Sequence, residues 1–235
     1  SRSAVAKTDP SDPFKYLPLW MHSLDTAMLM ERLYLKWLAP SERDFLEDEA
    51  EGSGAGLCRF LGVTHDIGKL TALFQSRVAP CIEGYAGCFL PVPSLKSFDG
   101  GNNVPHALAG KNILICAGCD CQAAGIVGLH HGRAAESLYR AEEEILNYEY
   151  EYCGGVPKEW RASWDEFIKA SLEFSGFEDI SQIPQLSQGA QMLLSGMLIM
   201  ADWLASNQSY FPYIAADSSG DCGVYPKRVS DGWKK

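Results

Sequence analysis

The sequence predicts an all-α fold, a single globular helical domain. Three observations predict it. Apolar residues recur three or four positions apart through most of the chain. Alternating β-type runs are scarce. No Pro/Gly/Ser-rich linker divides the middle of the sequence, so its 235 residues, 46% hydrophobic and 21% charged, suffice for one large core.

Taken in order, residues 20–39, WMHSLDTAMLMERLYLKWLA, carry Trp20, Leu24, Ala27, Met28, Leu35 and Leu38 at mostly helical spacing. Residues 56–78, GLCRFLGVTHDIGKLTALFQSRV, read as helical throughout, with Leu57, Phe60, Leu61, Ile67, Leu70, Leu73 and Phe74. Residues 105–118 and 121–132 give two more helices joined at GCDC. Residues 134–152 read as a charged, mostly exposed helix and residues 163–176 as an amphipathic one. Residues 185–207 are apolar over most of their length and belong at the centre of the core. EDEAEGSGAG (47–56) and PVPSLKSFDGGNNVP (91–105) read as surface loops, and the tail GVYPKRVSDGWKK (223–235) as a strand or linker leading elsewhere.

The formal net charge is −10, which disfavours a dedicated nucleic-acid-binding module with its basic face. It does not disfavour an enzyme whose positive charge arrives as bound metal. No apolar run approaches the roughly 20 residues that span a bilayer, and the N-terminus is polar, so the expected compartment is cytoplasmic, with no membrane partner. The eight cysteines are then expected reduced. Cys116, Cys119 and Cys121 contain one CxxC step. A second pair at matching spacing is missing, so small buried hydrophobes plus a loop thiol is the preferred reading over a structural zinc.

Chemistry concentrates in the histidines. His22, His65, His106, His130 and His131 each lie on or at the end of a predicted core helix. A His-Asp or His-His dipeptide is weak evidence alone, and a lone core histidine is usually just satisfied. Burying all five without a common purpose is improbable. Metal binding supplies a purpose, because neutral imidazole with carboxylate suits Mn, Fe, Co, Ni or Zn. On a helix, His65 and Asp66 would point about 100° apart, which fits a carboxylate bridging two ions better than joint chelation of one. Asp202, set among Met200, Ala201, Trp203 and Leu204, is a further candidate ligand.

The order His22, His65-Asp66, Asp202 resembles the HD phosphohydrolase superfamily. HSLDTA after His22, HDIGK…FQ at the pair, the isolated HAL at His106, HHG at His130–Gly132 and ADWLASN together resemble the HD nuclease domain of the CRISPR type I effector helicase–nuclease, over residues 17–212. The resemblance implies a helical domain with two divalent transition-metal ions between helices. One would be held by His22, His65, Asp66 and Asp202, the other by Asp66, His106, His130 and His131, with Asp66 bridging. Lys69 would face the scissile phosphate, and no ligand position is missing. The implied organisation is an arm over residues 1–16, the nuclease domain over 17–213, and a tail over 214–235 toward a helicase portion.

The implied reaction is hydrolysis of single-stranded DNA in CRISPR interference against foreign DNA, with an RNA-guided surveillance complex as partner. Two ions about 3.5–4 Å apart can activate a water and clamp the phosphate and leaving oxygen. The chain holds no GxxxxGK[ST], so a motor and its nucleotide must lie in a helicase domain of the same or another chain. The alternative from the same chemistry is a nucleotide phosphohydrolase or cyclic-nucleotide phosphodiesterase; the extra histidines and ADWLASN favour the nuclease. A non-catalytic interaction domain with relict ligands is the third reading, and the complete ligand set argues against it.

Overall fold

A computed structural model of the chain describes residues 3–85, 90–98, 104–132, 140–216 and 225–234. The architecture is helical. Its sheet is small: β1 (Val5–Thr8), β2 (Lys15–Pro18) and β3 (Ile214–Ala215) pair antiparallel in that order. A register shift between Val5 and Lys7 bulges β1.

At the centre, α1 (Leu19–Lys36) begins directly after Pro18 and packs against α3 (Gly54–Thr64) and α10 (Gln188–Ala205). The crossing of α1 on α3 is close because Gly62 has no side chain: a Cβ there would lie 2.5 Å from Ala27 Cα. α2 (Pro40–Glu49) starts with proline at its first helical position, where the missing N–H costs nothing. Residues 47–56, expected as a surface loop, are therefore mostly helix ends. The chain turns at Glu51 and Gly52, both with positive φ, and Gly56 is buried against Ser175 O.

α4 (Ala72–Val78), α5 (His106–Cys116) and α6 (Cys121–Gly128) follow, and Asp120 caps α6 by accepting the Gln122 N–H at 2.8 Å. The helix expected over 134–152 is, within the described residues, two short ones, α7 (Ala141–Asn147) and α8 (Glu149–Cys153). They are not mostly exposed, since Glu144, Ile145, Glu151, Tyr152 and Cys153 are buried. α9 (Pro157–Ser175) starts six residues earlier than periodicity suggested, brings Trp160 into the core, and ends on Gly176 in the left-handed region.

The tail differs most from expectation. α11 (Tyr225–Lys234) is a helix that packs on α1. Its Arg228 donates from Nε and Nη2 to the carboxylate of Asp25, which is fully buried on α1, at 2.9–3.1 Å, and from Nη1 to Pro212 O at 2.6 Å. Breaking one side of such a pair strands a buried charge, at a cost of about 3 kcal/mol. Arg228→Ala is therefore expected to lower the thermal midpoint by roughly 6–12 °C for a chain of this length. An unchanged melting curve would show that α11 contributes nothing to the fold.

Candidate metal centre

The helix expected through residues 56–78 breaks at the His-Asp pair. α3 ends at Thr64, Asp66 takes φ −104° and ψ 14°, and a single 3₁₀ turn, Ile67–Lys69, leads to α4. That dihedral region is sparsely used and recurs at active sites. The break lets α5 dock: a Cβ on Gly68 would lie 1.9 Å from His106 O and 2.5 Å from Gly110 N. Trp164 Nε1–H donates to Leu70 O at 2.6 Å, and Gln75 Nε2–H donates to Lys69 O at 2.8 Å, fixing the turn from two sides.

Five elements converge there. His22 comes from α1, His65 and Asp66 from the end of α3, His106 from the first residue of α5, His130 and His131 from just beyond α6, and Asp202 from α10. All but His106 and His131 are buried, His131 being exposed at the rim. Ligand atoms of His22, His65 and Asp202 lie within 4.8 Å of one another, and so do those of His106, His130 and His131. Asp66 sits between the two groups. Its Oδ2 is 3.2 Å from His22 Nε2 and 3.3 Å from His65 Nε2, whereas its Oδ1 is 3.4 Å from His106 Nε2 and 3.5 Å from His130 Nε2.

The donor chemistry fits metal ions. Among the described residues, His22 Nδ1 and Nε2, His65 Nε2, Asp66 Oδ1 and His130 Nε2 are buried without any partner in hydrogen-bond geometry. Orphaned buried polar atoms are costly, so several facing one another mark a place for a ligand they share. The ring orientations are set from behind. His65 Nδ1 pairs with Gly62 O at 2.7 Å and His130 Nδ1 with Val127 O at 2.6 Å, each three residues back, which directs both Nε2 atoms inward.

Charges follow from burial and neighbours. Burial alone would raise the Asp66 carboxyl, but the Lys69 ammonium and His65 hold it well below the usual carboxylate range. Asp202 is likewise depressed, its burial outweighed by His22 and His65. Burial also works against a charged His65, yet Asp66 and Asp202 lift it to about 9, so a dication entering this group displaces a proton. Burial pushes His22 down and His106 down to about 3, leaving both neutral.

Residues 6–211 match the family described as "Cas3, HD domain". The chain belongs to that family. It is 31% identical, over 97% of its length, to the CRISPR-associated nuclease/helicase Cas3 of Streptococcus thermophilus, and spans 27% of that relative. The fold is that of solved Cas3 structures. The ATP complex of T. fusca Cas3 superposes with a TM-score of 0.72 at 20% identity, covering 100% of this chain and 26% of that one. The Thermus thermophilus Cas3 HD domain crystallised in the presence of Ni2+ gives 0.65 at 18% identity, covering 99% and 87%.

In this Cas3 HD domain all seven histidine and aspartate candidates lie in one cluster, and Lys69 lies at its edge. Lys69 is 5% exposed rather than solvated, with Nζ 2.6 Å from Asp66 Oδ2 and 5.6 Å from the Phe74 ring centroid. Two neighbours escaped sequence reasoning. Lys7, on β1, reaches Asp202 Oδ1 at 3.4 Å and donates to Ser206 Oγ; Ser206 donates to the Asp202 carbonyl at 2.6 Å. Ser206 stood within ADWLASN, whereas nothing in VAKT marks Lys7. Cys116, Cys119 and Cys121 are free thiols, and among the described residues no cluster of potential ligands includes them. Burial pushes the Cys119 thiol up to about 12, in keeping with a small hydrophobe.

Proposed function

We propose that this chain is the DNA-cleaving unit of a CRISPR-associated nuclease/helicase, hydrolysing phosphodiester bonds of single-stranded DNA in the cytoplasm at two divalent transition-metal ions. The observation that carries this reading is the division of Asp66: one oxygen faces His22 and His65, the other His106 and His130. One ion would be held by His22, His65, Asp66 and Asp202, the other by Asp66, His106, His130 and His131. Mn, Fe, Co, Ni and Zn all suit these ligands.

When bound, such a pair activates a water for in-line attack and neutralises charge on the phosphate and leaving oxygen. The chain's own residues do the rest. Gly62 O and Val127 O hold the imidazoles of His65 and His130 in place. Asp66, at the 3₁₀ turn, sets the separation of the two ligand groups. His22, His65 and Asp66 are enclosed whereas His131 is exposed, so the reacting phosphate enters from the rim at His131. Lys69 places an ammonium where a phosphate brings negative charge.

A flexible strand can bend one phosphate onto both ions through that rim, which a rigid duplex cannot do. Metal-stripped protein, reloaded in turn with each of the five metals, is expected to cleave single-stranded DNA without ATP and to act much more slowly on intact duplex. Equal rates on both would defeat the strand preference. Hydrolysis of free nucleotides without DNA cleavage would establish the phosphohydrolase reading instead. We place a helicase motor as a partner because the curated relative, of which this chain spans 27%, is a nuclease/helicase, and an RNA-guided surveillance complex because a chain of the same fold is solved in one.

A further inference from the structure

The N-terminal strand delivers a second ammonium to the cluster. β1 is anchored beside the 3₁₀ turn by Gln75, whose Oε1 accepts the Val5 N–H at 3.0 Å and whose Nε2–H donates to Val5 O at 2.9 Å as well as to Lys69 O. One side chain thus ties the strand carrying Lys7 to the turn carrying Lys69. The bulge between Val5 and Lys7 falls beside it. A bulge re-aims the side chain that follows, and bulges concentrate next to active sites. Here Lys7, paired with Leu17 in the sheet, sends its side chain to Asp202 Oδ1 at 3.4 Å and to Ser206. Its side chain is 25% exposed, against 6% for Lys69.

The two lysines therefore stand differently. Lys69 is enclosed and lies on the bridging carboxylate. Lys7 lies on the less enclosed carboxylate, Asp202, with its own side chain only part-buried. Without metal, Lys69 pairs with Asp66 and Lys7 with Asp202. Two dications taken up by those carboxylates leave four positive charges in excess and detach Lys7 from the oxygen it holds. A diester phosphate is the anion that restores its partner. Close to that excess charge, Lys7 is held by strand geometry rather than by attraction, so its position is ready before the substrate arrives.

We propose that Lys7 anchors a backbone phosphate of the substrate strand at the mouth of the metal centre, as a positioning residue that acts on DNA binding, separate from Lys69 at the reacting phosphate. This rests on the nuclease reading above. A lysine that contacts phosphate contributes to affinity for any sequence and to about one unit of the salt dependence.

The test uses the full chain loaded with Mn2+ and a phosphorothioate-backboned single-stranded oligothymidylate, with binding read by fluorescence anisotropy across a salt series. Lys7→Met is expected to weaken binding about tenfold and to flatten the slope of log K against log salt by about one, with metal content unchanged. In single-turnover cleavage of ordinary single-stranded DNA, the loss is expected in the half-saturating concentration, with the maximal rate within about threefold of the wild type. Lys7→Arg, which keeps the charge and the reach, is expected to restore both slope and affinity. Wild-type affinity and slope in Lys7→Met would overturn the proposal and leave the nuclease reading standing. So would a parallel loss of metal, which would make Lys7 a strut for Asp202, or failure of Lys7→Arg to recover. A wild-type chain that binds no single-stranded DNA at all would remove the nuclease reading and this inference with it.

Discussion

Asp66→Asn is expected to bring cleavage down to the level of metal-stripped protein and to remove both ions rather than one. The substitution keeps side-chain volume and deletes the charge. The two oxygens of Asp66 face different imidazole groups, so losing its charge weakens the first group, which keeps Asp202 alone, and leaves the second with no carboxylate. Among the described residues, the imidazoles paired with Asp202 are those of the first group: its Oδ1 is 3.0 Å from His22 Nε2 and 3.7 Å from His65 Nε2. Asp202→Asn is accordingly expected to lose one ion and to keep the one at His106, His130 and His131. Metal content per chain by elemental analysis separates the two cases. Full occupancy in Asp66→Asn, or equal losses in both variants, would show that Asp66 does not bridge. A second effect has an independent readout. In chelator, Asp66→Asn strips Lys69 of its partner at 2.6 Å in a buried place, and losing one partner of a buried pair costs about 3–5 kcal/mol. The metal-free variant is expected to unfold at correspondingly lower denaturant.

The candidate site was more legible in the sequence than its construction. His22 and Asp202 stand out because an imidazole and a carboxylate sit among apolar residues on helices that the periodicity already placed in the core. His65 and Asp66 stand out for the same reason, but the argument that they diverge on a continuous helix does not describe them. The helix ends there, because docking α5 onto Gly68 needs a backbone that no straight helix offers, and the residues that force this lie some forty positions downstream. The tail was misread for a related reason. Arg228 looks like a solvated charge until Asp25, about two hundred residues earlier, is known to be buried opposite it. Lys7 belongs to a four-residue strand too short for any pattern to rank one lysine over another. Local periodicity encodes which face of a helix is buried. It does not encode which distant backbone makes a glycine obligatory or which distant charge makes a tail fold back.

Lys69→Met is expected to retain both ions and to lose about 10²–10³-fold in turnover, the size of one preorganised electrostatic contact. The enclosed position of Lys69 rules out the ordinary fate of a lysine, solvation at the surface. It lies on the Asp66 carboxylate and over the Phe74 ring, with its carbonyl held by Gln75, so the ammonium has little room to leave. In metal-free protein it neutralises Asp66. With two dications in place it is repelled, and it is kept by the backbone until a phosphate adds negative charge. Its interaction is therefore strongest when charge develops on the reacting phosphate, which lowers the barrier instead of tightening the ground state. Two signs follow that a merely structural lysine would not give. Removing the charge relieves repulsion, so metal affinity is expected to hold or to rise. The deficit is expected in the maximal single-turnover rate at saturating metal, with the half-saturating DNA concentration nearly unchanged, the reverse of the split expected for Lys7→Met. A Lys69→Met variant as fast as the wild type would reduce Lys69 to a counter-ion of the empty site, and one that loses its metals would show that the carboxylate cannot hold its place without it.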